Sequence, residues 1–195
     1  MARKVNPPLA LRIPQKILQD GEVRDYFREM QYMIFQISNF IEQSNKYGAF
    51  SSSVTQNAAA INTAYAVTYN STDISSGVTI STPASRITFD APGIYNFQFS
   101  MQLINTAGGD HNLWIWFRKN GVDIPSSATK LKVKGNNQEQ FAGWNFVYPM
   151  DVNDYMELMW AVSDTAVQII AIAASSPVPA IPSVILTVDF MGYEV

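Results

Sequence analysis

The sequence predicts a mainly β protein, an antiparallel sandwich preceded by an extended arm and one helix. Three observations predict it. Apolar residues recur every second position through most of the chain after residue 62, they recur at spacings of three and four over one earlier stretch, and prolines crowd the N-terminal end. A chain of 195 residues suits one domain with an extension. At 47% hydrophobic and 15% charged, its composition is that of a folded chain and not of a disordered one.

Residues 1–19 read as the arm. Pro7, Pro8 and Pro14 disfavour helix and hold the backbone extended. Arg3, Lys4, Arg12 and Lys16 all precede the first acid, Asp20, so the arm carries four cations and leaves nine of the 13 basic residues against all 16 acidic ones. Leu9, Leu11, Ile13, Ile17 and Leu18 make it too apolar for a solvated tail. The expectation is an anchoring arm, its four cations docked on acidic protein. Pro7, Pro8 and Arg12 interrupt the place where a signal peptide would be apolar, so no export signal is expected. The longest near-apolar run, 166–174, is about half of what a membrane-spanning helix needs, and membrane insertion is not expected.

A helix is expected over 20–45, with Asp20 as N-cap and Glu22 in the first turn. Val23, Phe27, Met30, Ile34, Ile37 and Ile41 are spaced 4, 3, 4, 3 and 4, the a/d rhythm of a helical bundle. Tyr26, Met33 and Phe40 widen the stripe. Everything downstream reads as β, which leaves the helix nothing of its own kind to pack on. A self-associating bundle follows, and isoleucine at most a positions leans to three strands. Residues 46–62, with their SSS and AAA runs, read as a flexible linker.

The head is expected over 63–195. Tyr95, Phe97, Phe99, Met101 and Leu103 alternate with Asn96, Gln98, Ser100 and Gln102 in the clearest strand, entered through the turn Ala91-Pro92-Gly93. Asn120-Gly121 marks a hairpin. Further strands are expected at 64–69, 86–89, 113–119, 130–134, 141–148, 155–162, 167–173 and 184–190. Nine short strands and no second helix argue for a sandwich or jelly roll. Leu113, Ile115 and Phe117 alternate with Trp114 and Trp116, and Met156, Leu158, Trp160 and Val162 alternate with Tyr155, Met159 and Ala161, so both faces of these strands are apolar. One face fills the sandwich, and the other is expected to be covered by a second subunit through Trp114, Trp116, Tyr155 and Met159.

APGIYNFQFS, IWFRKNG and VNDYMELMW resemble the globular head of the tumour-necrosis-factor and complement type, a jelly roll that assembles as a trimer. FRKNGVDIP, NDYMELMWAVSDT and AIPSVILTV, together with RIPQKIL and the Met33-Ile34-Phe35-Gln36 stretch, resemble structural proteins of tailed bacteriophages. The resemblance implies a bacteriophage virion protein, a short homotrimeric fibre, spike, knob or decoration assembled in the host cytoplasm. Its N-terminal arm would bind other virion proteins, its helix would form a coiled coil, and its head would be displayed for host attachment to a surface receptor or glycan. The competing reading is a soluble trimeric ligand-like or carbohydrate-binding module outside any particle.

Chemistry is scarce. The absence of Cys and the single His, His111, exclude disulfides, thiolate sites and paired-imidazole metal sites. Asp110-His111 would need a serine across the fold to become a triad, and no Gly-x-Ser-x-Gly turn supplies one. Asp151, Asn153 and Asp154 lack the EF-hand spacing and read as a turn. Lys130, Lys132 and Lys134 line one face of a strand, where edge protection outweighs a nucleic-acid site on an acidic body. Asn70-Ser71-Thr72 is a glycosylation sequon read as a loop. The expectation is no enzymatic activity, no catalytic residue, no cofactor, no metal and no nucleic-acid partner.

Overall fold

A computed structural model describes residues 21–193, the side chains of residues 39, 40 and 42–44 excepted. The anchoring arm, with Arg3, Lys4, Arg12 and Lys16, lies outside the described residues, as does the N-cap Asp20. The chain divides into two units, one ending at Glu42 and one beginning at Gln43.

The first unit is built on helix α1 (Gly21–Ser44), 24 residues with Glu22 in the first turn. Of its a/d residues, Val23, Phe27 and Met30 are half-buried, while Ile34, Ile37 and Ile41 are exposed. Tyr26 and Met33, from the third row, are exposed as well. Ion pairs of Asp25 with Arg24 at 3.6 Å and Arg28 at 3.8 Å lie on the surface, where such contacts contribute little. Propensity alone leaves a lone helix marginal, so the stability of α1 depends on what covers its stripe.

The second unit holds the strands β1 (Tyr47–Ser52), β2 (Gln56–Asn57), β3 (Tyr65–Ala66), β4 (Ser71–Ser76), β5 (Val78–Ile80), β6 (Ile87–Phe89), β7 (Gly93–Asn105), β8 (His111–Lys119), β9 (Val122–Asp123), β10 (Thr129–Val133), β11 (Gln138–Met150), β12 (Tyr155–Val162), β13 (Val167–Ile169) and β14 (Val184–Gly192). They form two antiparallel sheets. The first runs β2-β13-β7-β14-β1-β4, with β11 along the other side of β7; the second runs β10-β8-β12-β6-β5, with β3 on β12 and β9 on β8. From β6 to β8 and again from β10 to β13 the chain changes sheet at each step, which is the winding of a jelly roll.

The alternation of β7 builds the core. Tyr95, Phe97, Phe99, Met101 and Leu103 are all buried and face the second sheet. Phe97 meets Phe117 of β8 at 5.9 Å and Phe89 of β6 at 5.8 Å, and Phe89 meets Tyr95 at 4.6 Å, all tilted or edge-to-face contacts favoured by ring quadrupoles. Leu158, Trp160 and Val162 of β12 and Leu186 and Val188 of β14 close the layer. Burial pushes the Tyr95 hydroxyl up to about 12, with Asp90 and Tyr193 adding to the shift, and its O–H donates to the Ala91 carbonyl at 2.9 Å.

Two turns rest on glycine. Asn120 (φ 49°) and Gly121 (φ 81°) make the tight link from β8 to β9, as Asn-Gly predicts. Gly93 opens β7 at φ 154°, where a Cβ would meet the Gly192 carbonyl at 2.9 Å and the Phe190 ring.

Several expectations are corrected. Residues 46–62 are not a linker, because β1 lies inside the first sheet between β14 and β4 with Phe50 fully buried. The head therefore begins near Gln43 and not at residue 63. The misreading has a physical cause. YGAFSS buries Gly48, Phe50 and Ser52, and two of those three carry no apolar signal. Ser52 is secured through its carbonyl, which accepts the Ser183 N–H at 2.8 Å and O–H at 3.1 Å. The strands expected at 64–69 and 167–173 shrink to Tyr65–Ala66 and Val167–Ile169. The sequon is no plain loop: Ser71 and Thr72 begin β4, and the Asn70 amide bonds Ser53 at both its oxygen (3.0 Å) and its nitrogen (2.9 Å).

Candidate functional site

The sandwich presents two outer faces. On the second sheet, Trp114 and Trp116 of β8 stand two residues apart and point away from the core, both half-buried. Register places Ala161 opposite Trp114, Met159 opposite Trp116 and Glu157 opposite Arg118. The expected subunit contact through Met159 is corrected here, since Met159 is only 2% exposed within its own chain. Beside it in the sheet, β3 pairs Ala66 with Met159 and Tyr65 with Trp160, while the Asn62 N–H bonds the Val162 carbonyl at 2.8 Å. Tyr155 lies under the Arg86 guanidinium at 4.2 Å, a cation–π contact. Glu157 is buried beside it and accepts the Ser85 hydroxyl proton at 2.7 Å. The outward positions Glu157, Met159 and Ala161 of β12 are thus already buried within the chain.

What stays open is a cleft of about 570 Å³ over Trp114 and Trp116, floored by Ala161 and walled by Ala64, Pro125 and Ala128. The Trp116 indole N–H donates to Asp123 Oδ1 at 2.8 Å, and Arg118 Nε donates to the same oxygen at 2.7 Å. The Arg118 hydrogen bond, helped by Trp116, holds the Asp123 carboxyl below the usual range. On the edge strand β10, Lys130 stands opposite Trp114 and Lys132 opposite Asn112, both exposed on the same outer face.

The outer face of the first sheet differs. Asn145, Gln98 and Thr187 form one cross-strand row, and Gly143, Ser100 and Ile185 the next. They line a shallow hollow of about 540 Å³ with Phe141 at its rim. The Phe141 ring folds over Gly143, within 3.0 Å of where a Cβ would sit. Phe141 (65% exposed), Val147 and Ile185 are the large apolar side chains exposed on this face.

The remaining candidate groups do not converge on a reactive site. His111 Nε2 lies 3.4 Å from Asp164 and not against Asp110, whose carboxylate accepts the Gly135 N–H at 3.3 Å. The Ser163 hydroxyl accepts the Asn112 N–H at 2.8 Å. Asp154 closes the turn between β11 and β12 by accepting from the Asp151 N–H at 2.7 Å, Lys119 at 2.7 Å and Asn120 at 2.6 Å. Among the described residues no group of three His, Asp or Glu side chains is placed to hold a metal, and no helix is long and apolar enough to cross a membrane.

No family model and no curated protein matches the chain. Solved structures do match. One is the globular domain of a zebrafish complement 1qA protein, 12% identical, aligned over 77% of this chain and 99% of that one with a TM-score of 0.48. The jelly roll itself is read from this chain's own sheet order.

Proposed function

We propose that the protein is a homotrimeric structural component of a tailed-bacteriophage virion, with α1 as the trimerising bundle and the jelly-roll head displayed outward. The observation that carries the trimer is the open stripe of α1, where Ile34 is 42% and Ile37 58% exposed on a helix whose a/d spacing is that of a bundle. Burial is worth about 25 cal/mol per Å² of apolar surface, so these rows favour association. Three copies joined by α1 bring their heads together. The first sheet's outer face, with Phe141, Val147 and Ile185 around an amide-lined hollow, has the mixed apolar and polar make-up of a subunit interface. The virion reading is supported by the resemblance of RIPQKIL and the later head strings to phage structural proteins, and by the basic, proline-rich arm.

Deletion of residues 1–19 tests both parts. The truncated chain is expected to remain a folded trimer by light scattering and to be absent from purified particles by mass spectrometry. Incorporation at normal copy number would remove the arm as anchor, and a stable monomer at micromolar concentration for the full chain would remove the trimer.

A further inference from the structure

We infer that the cleft over Trp114 and Trp116 binds a pyranose unit of an acidic glycan. The inference deepens the adhesive role of the displayed head by giving it a site and a ligand class.

The cleft combines features that suit such a ring. Two half-exposed indoles side by side on β8 offer a flat apolar surface, and the Trp116 N–H bond to Asp123 fixes one of them before any ligand arrives. A pyranose has C–H groups on one face, which the negative face of an indole attracts, and hydroxyls around its rim. Small side chains leave room for the ring: Ala161 is the floor, and Ala64 and Ala128 are exposed on the walls. Asn62 and Ser126, polar residues of the rim, both hold positive φ, at 53° and 63°. The turn closed by the Ser127 N–H on the Ile124 carbonyl holds Ser126 there, and its hydroxyl and the Asn62 amide offer hydrogen bonds to a hydroxylated ligand.

Charge selects the kind of glycan. Lys130 shares the outer face with Trp114, and neither it nor Lys132 forms an ion pair among the described residues. The carboxylate nearest the indoles, Asp123, is already matched by Arg118 at 2.7 Å. A sugar carboxylate reaching Lys130 while its ring stacks on Trp114 therefore meets an unopposed cation. A nucleic acid would use the same indoles and lysines, but its backbone would extend along a chain whose formal net charge is −3.

The test is binding by the full-length protein to an array of uronate- and sialate-bearing oligosaccharides and their neutral counterparts, followed by calorimetry and tryptophan fluorescence on the strongest. At least one acidic member should bind about tenfold more tightly than its neutral counterpart. Trp114→Ala should weaken it tenfold or more. Ala128→Trp, which fills the cleft from an exposed position and removes no packing group, should do the same. Lys130→Glu should erase the preference for the acidic sugar. Binding by no member of the array, undiminished binding by the two cleft variants, or equal binding of a single-stranded oligodeoxynucleotide of the same charge would overturn the inference. All three variants should still trimerise, since the arm and α1 are untouched, whereas absence of the wild-type chain from purified particles would count against the virion reading and leave the glycan result to stand by itself.

Discussion

Helix α1 and strand β7 carry equally regular apolar patterns, yet the fold treats them in opposite ways. Every inward residue of β7 from Tyr95 to Leu103 is at most 3% exposed, while Ile34 and Ile37 of α1 stand open to solvent. The difference lies in what each pattern can reach. A strand of thirteen residues paired along its whole length with β11 and backed by β14 already belongs to a sheet, and winding the chain into a second sheet supplies the opposing layer. A single helix has no equivalent partner in a chain whose other described elements are strands. Under the proposed function its stripe is completed by further copies of the chain.

The contrast predicts its largest effect inside the head. Phe97 is fully buried between Phe89 and Phe117. Phe97→Ala should cost about 3–5 kcal/mol through lost transfer energy and a cavity, a large part of the ~5–15 kcal/mol that holds a typical domain. Denaturant unfolding followed by tryptophan fluorescence should show the midpoint falling, while light scattering under native conditions still reports association through α1. A cost below about 1 kcal/mol would mean that the two sheets do not meet at this ring.

The second effect is larger for assembly than for stability. The double substitution Ile34→Asp, Ile37→Asp places two charges in the a/d seam, where desolvating them opposes association. The expected outcome is a monomer at micromolar concentration whose head melts within a few degrees of the wild type. An earlier head melt would show that the head draws stability from α1 or from the head contacts that association brings, and the head would not be the self-sufficient half of this comparison.

Much of this was legible in the sequence wherever one residue type does one job. Aromatic residues at every second position located β7, and Asn120-Gly121 located the hairpin to β9, because period and turn chemistry act locally. What stayed hidden depends on neighbours distant in sequence. β1 was illegible because Ser52 and Gly48, the latter crowded by the Phe50 ring and Val78, take core-facing positions without an apolar side chain. The strand partner of Met159 is Ala66, more than ninety residues earlier, and nothing near Met159 announces it. The tryptophan cleft was half visible. The pattern placed Trp114 and Trp116 on an outer face, but only the register sets Ala161 and Lys130 beside them.

The smallest expected effect is confined to the turn of the head that Asp154 closes. Burial raises the affinity of this carboxyl for its proton, but the hydrogen bonds from Lys119 and Asn120 and from the Asp151 N–H outweigh it, and the group is held below the usual carboxylate range. The sign follows from linkage. A carboxyl with a depressed pKa in the folded state stabilises the fold at every pH above the unfolded value, about 3.9, and loses that contribution as pH falls through the folded value. Asp123, lowered chiefly by Arg118, acts in the same direction. Asp154→Asn should therefore lower the melting temperature at pH 7 and approach the wild type near pH 3, with Asp123 leaving a residual acid sensitivity in both. The measurement is cleanest in the Ile34→Asp, Ile37→Asp background, where association no longer contributes to the melt. A melting-temperature gap between the proteins with and without Asp154→Asn that is the same at both pH values would assign the effect to shape and hydrogen-bond count, and the charge of this turn would drop out of the head's stability.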